Sequence, residues 1–199
     1  MNMLLHSATC FICDPNEIMP TYISILRGIN VGGQKKIQME ELKVLYERLD
    51  FEEVTTFIQS GNVIFKTEHH YQSSVLSEKI EKAIEEKYHF YVPIIIRNKD
   101  EIQLILSSNP FLKESSVNRE KLHVTFLDKE PASEKIAAIH KYDFSPDRFY
   151  LTGNEVYLFC PNGYGNTKLS NDFFEKKLLV RATTRNWNTV VKLSELTNL

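Results

Sequence analysis

The feature that most constrains the fold of this chain is an order of secondary-structure signals that occurs twice. The first half contains six periodic segments, which predict in turn a strand, a helix, two strands, a helix and a strand at 21–30, 39–49, 54–59, 63–65, 73–88 and 92–96. The second half repeats this order with segments at 122–127, at 131–139, around a hairpin at 149–159, and at 170–179 and 180–184. A chain in which these signals recur in the same order is typical of a duplicated unit.

The βαββαβ order predicts a ferredoxin-like unit in each half. Both hairpins carry a Gly-Asn pair, at Gly61-Asn62 and Gly153-Asn154. Because many hairpin turns use this dipeptide, the shared order of elements is the stronger evidence for duplication. We therefore predict an α+β protein with two tandem ferredoxin-like halves at 20–98 and 120–196. A short connecting helix and polar linker at 99–119 would join them, and a helix from 187 would end the second half.

Composition limits the classes of function. The chain has 199 residues, a formal net charge of -2 and a pI near 6.3, which argues against a general nucleic-acid coat protein. No apolar run approaches the roughly 20 residues of a membrane span, so we expect no membrane association. The three cysteines and the lack of a secretion signal favour a cytoplasmic location. Cofactor and oligomeric state stay open.

The first 18 residues do not fit the repeated pattern, and we predict that they form an extension outside the fold. Cys10 and Cys13 have the spacing of half a zinc site, but no second pair follows to complete four ligands. We interpret the pair as incidental and predict no metal site. Cys160, beside Phe159 in a predicted strand, is expected to be buried and unreactive.

A glycine-rich loop at 28–36 follows the first strand. Glycines allow backbone N–H groups to approach an anion, and cationic side chains nearby strengthen such a site. Arg27 at the strand end needs a carboxylate or a ligand anion as its partner, and both alternatives stay open. The spacing does not match a dinucleotide fingerprint. The candidate ligand-binding residues from this loop are Arg27, Asn30, Gly32, Gly33 and Lys35.

A second glycine-rich stretch contains Gly163, Gly165 and Lys168 and precedes Ser170, a good helix N-cap. Glycines and a lysine before a helix N-terminus suit a phosphate group. The spacing departs from that of a Walker loop. The alternative is a connection whose lysine is simply solvated.

A third stretch, at 181–189, is rich in hydrogen-bonding groups. Arg185, Asn186 and Asn188 have the chemistry to hold an anion or a base edge, with Trp187 as a stacking surface. Alternatively, Asn186 caps the last helix and Trp187 packs in the core. We favour the packing role for Trp187.

Three segments in order carry a family resemblance. Residues 26–33, 59–63 and 183–189 resemble the bacterial family catalogued as domain of unknown function 1697, and the resemblance spans about 20–196. It implies a two-part α+β protein with ferredoxin-like halves, in agreement with the duplication. It implies no activity, cofactor or catalytic residue.

We therefore hypothesise a protein that binds a phosphate-bearing ligand, either a nucleotide, a phosphometabolite or a nucleic acid. The scattered cations Arg27, Lys35, Lys168 and Arg185 would then converge with Asn30 in one pocket. One alternative is an enzyme acting on a phosphorylated substrate, which would need a titratable acceptor beside these cations. The other is a scaffold, which would need a large exposed apolar patch.

Overall fold

The structure, a computed structural model, describes residues 19–198, and the predictions made for residues 1–18, Cys10 and Cys13 included, lie outside this range. The first half contains β1 Thr21–Leu26, α1 Met39–Glu47, β2 Glu52–Phe57, β3 Asn62–Lys66, α2 Ser73–Tyr88 and β4 Ile94–Asn98. After α3, Lys99–Ser107, the second half contains β5 Leu122–Leu127, α4 Ser133–Ile139, β6 Arg148–Thr152, β7 Glu155–Phe159, α5 Asn171–Leu178, β8 Ala182–Asn186 and α6 Trp187–Leu196. None of the described helices is both long and apolar enough to cross a membrane.

The strands form two antiparallel four-stranded sheets, ordered β2-β3-β1-β4 and β6-β7-β5-β8. The order of strands is the same in both halves, with the first strand of each half in the interior and its last strand at the edge. This arrangement confirms the predicted α+β fold with two ferredoxin-like halves.

Three apolar clusters form the core, and one of them holds the halves together. One covers the face of the first sheet against α1 and α2, and another covers the face of the second sheet against α4 and α5. The third joins the remaining faces of both sheets to α3 and α6, and it contains Ile25, Phe126 and Trp187. Trp187 is 5% exposed, so it packs in the core as expected. The two halves thus share one continuous apolar interface.

Both halves use the same device to start the helix that follows their last strand. Asn98 accepts a hydrogen bond from the N–H of Glu101 at 2.8 Å, and the Glu101 carboxylate accepts one from the N–H of Asn98. This capping box starts α3 without a break after β4. Asn186 likewise accepts from the N–H of Thr189 at 2.8 Å and starts α6.

Several strand boundaries differ from the prediction: β1 ends at Leu26 and not at residue 30, and β2 begins and ends two residues earlier than the predicted 54–59. The last strand of each half starts two residues later than the periodicity indicated, at Ile94 and at Ala182. In the first half, Pro93 has no N–H to give to a sheet, and its carbonyl accepts instead from the N–H of Arg27 at 2.9 Å. As a result Arg97 and Arg185 both lie within edge strands.

The pairing registers define which residues of the two halves are equivalent. Ile25 pairs with Asn62 at the start of β3, and Phe126 pairs with Glu155 at the start of β7. Asn62 is therefore equivalent to Glu155, whereas the Gly-Asn dipeptide that both hairpins share would align it with Asn154. The reason is the hairpin turn, which spans residues 58–61 in the first half and only 153–154 in the second.

Candidate functional site

Arg185 extends from β8 into the first half and is 8% exposed. Its Nε donates to Asn62 Oδ1 at 2.7 Å, and its Nη2 donates to the carbonyls of Leu26 at 2.6 Å and Gly61 at 3.1 Å. The other acceptors are oxygen atoms of Ser60, Thr183 and Thr184. All three guanidinium nitrogens are therefore engaged by neutral oxygen atoms.

Arg97 makes the reciprocal contacts from β4 into the second half. Its Nε donates to Glu155 Oε1 at 2.8 Å, and its Nη2 donates to the carbonyls of Leu127 at 2.7 Å and Asn154 at 3.2 Å. Its Nη1 donates to the carbonyl of the preceding residue, Ile96, as Arg185 does to Thr184. The two arginines thus lie on equivalent sites of an internal two-fold arrangement.

The two arginine sites differ in charge. Arg97 faces the carboxylate of Glu155. Burial is the largest cause that raises the pKa of Glu155, and the charge of Arg97 opposes it. The charge of Glu101, in the first turn of α3, raises the pKa of Glu155 further. At the equivalent positions Arg185 faces only the amide of Asn62, and Thr189 occupies the first turn of α6. No carboxylate of the described chain hydrogen-bonds to Arg185.

Arg185 therefore carries a buried charge without a counter-charge. Burial lowers the pKa of Arg185 to about 10, so the guanidinium stays a cation near neutral pH. A buried cation that lacks an anionic partner is costly, because hydrogen bonds to neutral groups replace only part of its lost hydration.

A cleft of about 250 Å³ opens beside Arg185 at the junction of the halves. It is lined by residues of both, namely Ile58, Ser60, His123, Tyr164, Thr184, Arg185, Asn186 and Thr189. His123 on β5 stacks on Tyr164, with ring centroids 4.9 Å apart and planes at 26°. We call this space the Arg185 cleft.

Of the titratable groups that line the Arg185 cleft, His123 is the one whose ordinary pKa lies closest to neutral pH. Burial lowers its pKa, its hydrogen bond to the Lys121 carbonyl opposes that shift, and the charge of Lys121 adds to it. Nδ1 lies 3.3 Å from that carbonyl, so Nδ1 carries the proton of the neutral ring and Nε2 carries the lone pair.

Hydroxyl groups fix the wall of the cleft on the side of the second half. The Tyr164 hydroxyl donates to Thr184 Oγ1 at 2.9 Å, and Thr184 donates to Asn171 Oδ1 at 2.7 Å. Thr125 Oγ1 lies 2.7 Å from the same Thr184 oxygen. Burial, as the largest cause, raises the pKa of Tyr164, so its hydroxyl is neutral and holds its ring in place.

The predicted residue Arg27 lies beside the site but is engaged by two carboxylates. Its guanidinium forms ion pairs with Glu175 and, at 2.7 Å, with Asp172, both on α5. In the other half Arg181 pairs with Glu81 on α2 at 2.7 Å. Arg27 is therefore in contact with the second half, and its charge is compensated there.

The residues predicted from the first glycine loop lie around a different cleft. Asn30 braces the loop, because its side chain accepts from the N–H of Ile37 and donates to the carbonyls of Ile37 and Gln59, all at 2.9 Å. Gly32 and Gly33 form an exposed turn with φ of 57° and 76°. Lys35 Nζ donates to the carbonyl of Tyr91 at 2.7 Å.

This second cleft, of about 460 Å³, lies at the start of α1. Asn30, Gly33 and Lys36 line it, but so does Glu40. Glu40 and Glu41 occupy the first turn of α1 and already complement the helix dipole there. An anion is therefore less favoured at this cleft than beside Arg185.

The second glycine-rich stretch contributes one residue to the Arg185 cleft, Tyr164, which lies between its two glycines. Gly163 has a φ of 90° and begins the 3-10 turn Tyr164–Asn166, which carries Tyr164 into the Arg185 cleft. Gly165 and Lys168 are exposed, and neither lines that cleft. The third stretch provides Arg185 and Asn186 as lining residues, while Asn188 is exposed in the first turn of α6.

Seven residues of this site were not among the predicted ligand-binding residues, namely Ile58, Ser60, Asn62, His123, Tyr164, Thr184 and Thr189. His123 and Asn186 pair directly across β5 and β8, so a correct strand register would have placed His123 beside the third stretch. Asn62 had no such signal, because its role depends on a contact with the other half. The described residues contain no group of three or more His, Cys, Asp or Glu side chains placed to hold a metal ion.

Comparisons with known proteins identify relatives. A family profile with the description "Protein of unknown function (DUF1697)" matches residues 19–157. Among solved structures, the conserved bacterial protein SP0830 from Streptococcus pneumoniae is similar with a TM-score of 0.72 and 22% identity, over 92% of this chain and 100% of that one. No curated protein matches. At this identity the structural likeness establishes the fold alone.

Proposed function

This chain belongs to the DUF1697 family of proteins of unknown function, and we propose from the geometry of the Arg185 cleft that it binds a phosphate-bearing ligand there. The proposal follows from one observation. Arg97 and Arg185 make equivalent contacts, yet only Arg97 has a carboxylate partner. A cleft of similar size adjoins each arginine, about 260 Å³ beside Arg97 and about 250 Å³ beside Arg185, so the two sites differ in charge and not in space. An anionic ligand in the cleft supplies the counter-charge that Glu155 supplies to Arg97.

Arg185 acts on this ligand through its charge, because its nitrogens already donate to protein oxygen atoms. The direct donors come from the rim. The Ser60 hydroxyl comes from the first half, and the Asn186 side-chain amide and the Thr189 hydroxyl come from the second. Hydroxyl and side-chain amide groups can donate to the oxygens of an anion, so these side chains suit a phosphate group.

The size of the cleft favours a small ligand. Its volume of about 250 Å³ is below the range of roughly 300–1,000 Å³ that is usual for drug-sized ligands. A phosphometabolite or the phosphate end of a mononucleotide suits this space better than a nucleic-acid strand does. The net charge of -2 agrees with that choice, since nucleic-acid binding usually depends on a basic surface.

The decisive experiment replaces Asn62 by aspartate. Asn62→Asp keeps the shape of the side chain and puts a carboxylate oxygen where Arg185 Nε now meets an amide oxygen at 2.7 Å. We expect the wild type to bind inorganic phosphate and adenosine monophosphate, measured by titration calorimetry and by Trp187 fluorescence. Because the internal carboxylate takes over the counter-charge, we expect Asn62→Asp to weaken both at least about tenfold.

A matched control makes the same change of charge elsewhere. Asn118 is exposed, and its side chain caps a short 3-10 turn, a role that aspartate fills equally well. Asn118→Asp should leave both affinities unchanged. If the wild type shows no binding at millimolar phosphate, or if Asn62→Asp binds as the wild type does, the proposal is wrong.

A further inference from the structure

Ile58 is in a backbone conformation that isoleucine avoids. It has a φ of 53°, in the left-handed region, where a β-branched side chain is strained. Its carbonyl accepts from the N–H of Gly61 at 3.3 Å, and this bond closes the turn that leads into β3. The turn fixes the conformation, and asparagine or glycine would adopt it with less strain.

The side chain of Ile58 gains little from packing. It is 44% exposed, and its place is the rim of the Arg185 cleft. An apolar side chain that is both strained and exposed is unfavourable for the free protein. Ile58 therefore presents a partly exposed apolar surface at the rim of the cleft, at a cost in backbone strain.

Flat rings form another part of the cleft wall. His123 and Tyr164 come from the second half, and their stacked rings line the same space as Ile58 of the first half. The hydrogen bond from Tyr164 to Thr184 keeps the pair in place. The lining of the cleft thus combines the cation Arg185 with an apolar side chain from the first half and aromatic rings from the second.

We propose that the ligand is a phosphate monoester of a small planar ring, aromatic or heterocyclic, with the ring in contact with Ile58 and the His123–Tyr164 pair. This inference rests on the proposed function of the Arg185 cleft and adds the class of ligand. The phosphate lies toward Arg185, and the ring covers the exposed part of Ile58. A planar ring has two apolar faces, so it can contact both surfaces at once without unpaired polar groups.

Three probes of increasing complexity separate this inference from the proposed function, namely inorganic phosphate, glycerol 3-phosphate and phenyl phosphate. The last two share a phosphate monoester and differ in the group that it carries. In the wild type we expect phenyl phosphate to bind about tenfold more tightly than glycerol 3-phosphate, because its ring buries apolar surface. Titration calorimetry gives all three affinities.

Ile58→Asn removes the apolar surface and relieves the strained backbone. Leu179→Asn is the matched control, because Leu179 has a φ of 58°, is 63% exposed and does not line the Arg185 cleft. Both variants should unfold at higher temperature than the wild type. Only Ile58→Asn should lose the preference for phenyl phosphate, and its affinity for inorganic phosphate should be unchanged.

Three outcomes would contradict the inference, and they are distinguishable. If phenyl phosphate and glycerol 3-phosphate bind the wild type equally well, the class of ligand is wrong, although the phosphate site remains. If Ile58→Asn keeps the preference, Ile58 is not part of the ring site, and the inference again fails alone. If none of the three probes binds, the proposed function fails as well.

Discussion

The guanidinium Nε of Arg185 lies 2.7 Å from the side-chain oxygen of Asn62, across the junction between the two halves. The same contact recurs with Arg97 and Glu155 at 2.8 Å, so one position of a duplicated interface carries an amide and the other a carboxylate. In the Arg97 site the carboxylate of Glu155 neutralises the charge of the arginine. In the Arg185 site the balance is left open beside a cleft, which is why we place the ligand there.

The ion pair of the Arg97 site should be essential for stability. Arg97 is 3% exposed, and Glu155→Gln would leave its charge without a partner. Removing one member of a buried ion pair costs roughly 3–5 kcal/mol, because the remaining charge stays buried. We expect a loss of about 3 kcal/mol in urea unfolding. Glu195→Gln, in the exposed pair with Lys192, should change stability by less than about 1 kcal/mol, and an equal loss in both variants would contradict this.

The Arg27→Gln variant tests whether this arginine has a structural role or a binding role. Its charge is compensated by Asp172 and Glu175, so its loss should affect the contact between the halves. Since the pair is partly exposed, we expect a loss of about 1 kcal/mol that decreases with added salt. Phosphate affinity should change less than about threefold, because little of the field of Arg27 remains uncompensated. Unchanged stability with strongly weakened phosphate binding would instead place Arg27 in the ligand site.

The two hairpin glycines should differ in their tolerance of a side chain. A Cβ on Gly61 would lie 2.6 Å from Ile29 Cδ1 and 2.9 Å from Leu26 Cβ, whereas a Cβ on Gly153 would meet nothing within 4 Å. Both have positive φ, so both substitutions carry backbone strain. We expect Gly61→Ala to cost about 3 kcal/mol and Gly153→Ala about 1 kcal/mol, since only the first adds overpacking. Chemical denaturation of both variants measures the difference, and equal costs would show that Leu26 and Ile29 move aside.

Anion binding should depend on the protonation of His123. Nδ1 faces the Lys121 carbonyl, so Nε2 gains a proton before it can donate to an anion. Because burial lowers the pKa of His123, the ring is mostly neutral at pH 7, and its protonation is favoured when an anion is bound. We therefore expect sulfate, whose charge is constant in this range, to bind more tightly as the pH falls from about 7.5 to about 5.5. In His123→Gln the affinity should not vary with pH, and a flat profile in the wild type would contradict this role.

The lowered pKa of His123 also predicts that the stability of the ligand-free protein decreases as the pH falls, whereas anion affinity increases. A histidine whose pKa is lowered by folding contributes stability that is fully present above its unfolded pKa of about 6.5. That contribution is lost as the pH falls through the lower pKa of the folded state. Without anion, acid should therefore lower the unfolding temperature of the wild type more than that of His123→Gln. An equal decrease of the unfolding temperature in both proteins would show that His123 does not contribute to the acid sensitivity.

Much of the fold could be predicted because periodicity is a local property. The spacing of Leu42, Leu45 and Tyr46 indicates one buried face of α1, and the capping residue Asn98 indicates the start of α3. The ends of β4 and β8 were placed two residues early, because apolar periodicity continues through residues that pack in the core without joining the sheet. That small error placed Arg185 outside the edge strand to which it belongs and hid its reach into the other half.

The sequence by itself determined the duplicated βαββαβ order, the two antiparallel sheets and the burial of Trp187, since each depends on patterns within a few turns or strands. Only the tertiary structure decided that Arg27 meets carboxylates of α5 while Arg185 meets the amide of Asn62. The physical reason is that the environment of a charged side chain is set mainly by the groups within a few ångströms of it. For both arginines these groups belong to residues more than a hundred positions away in the chain.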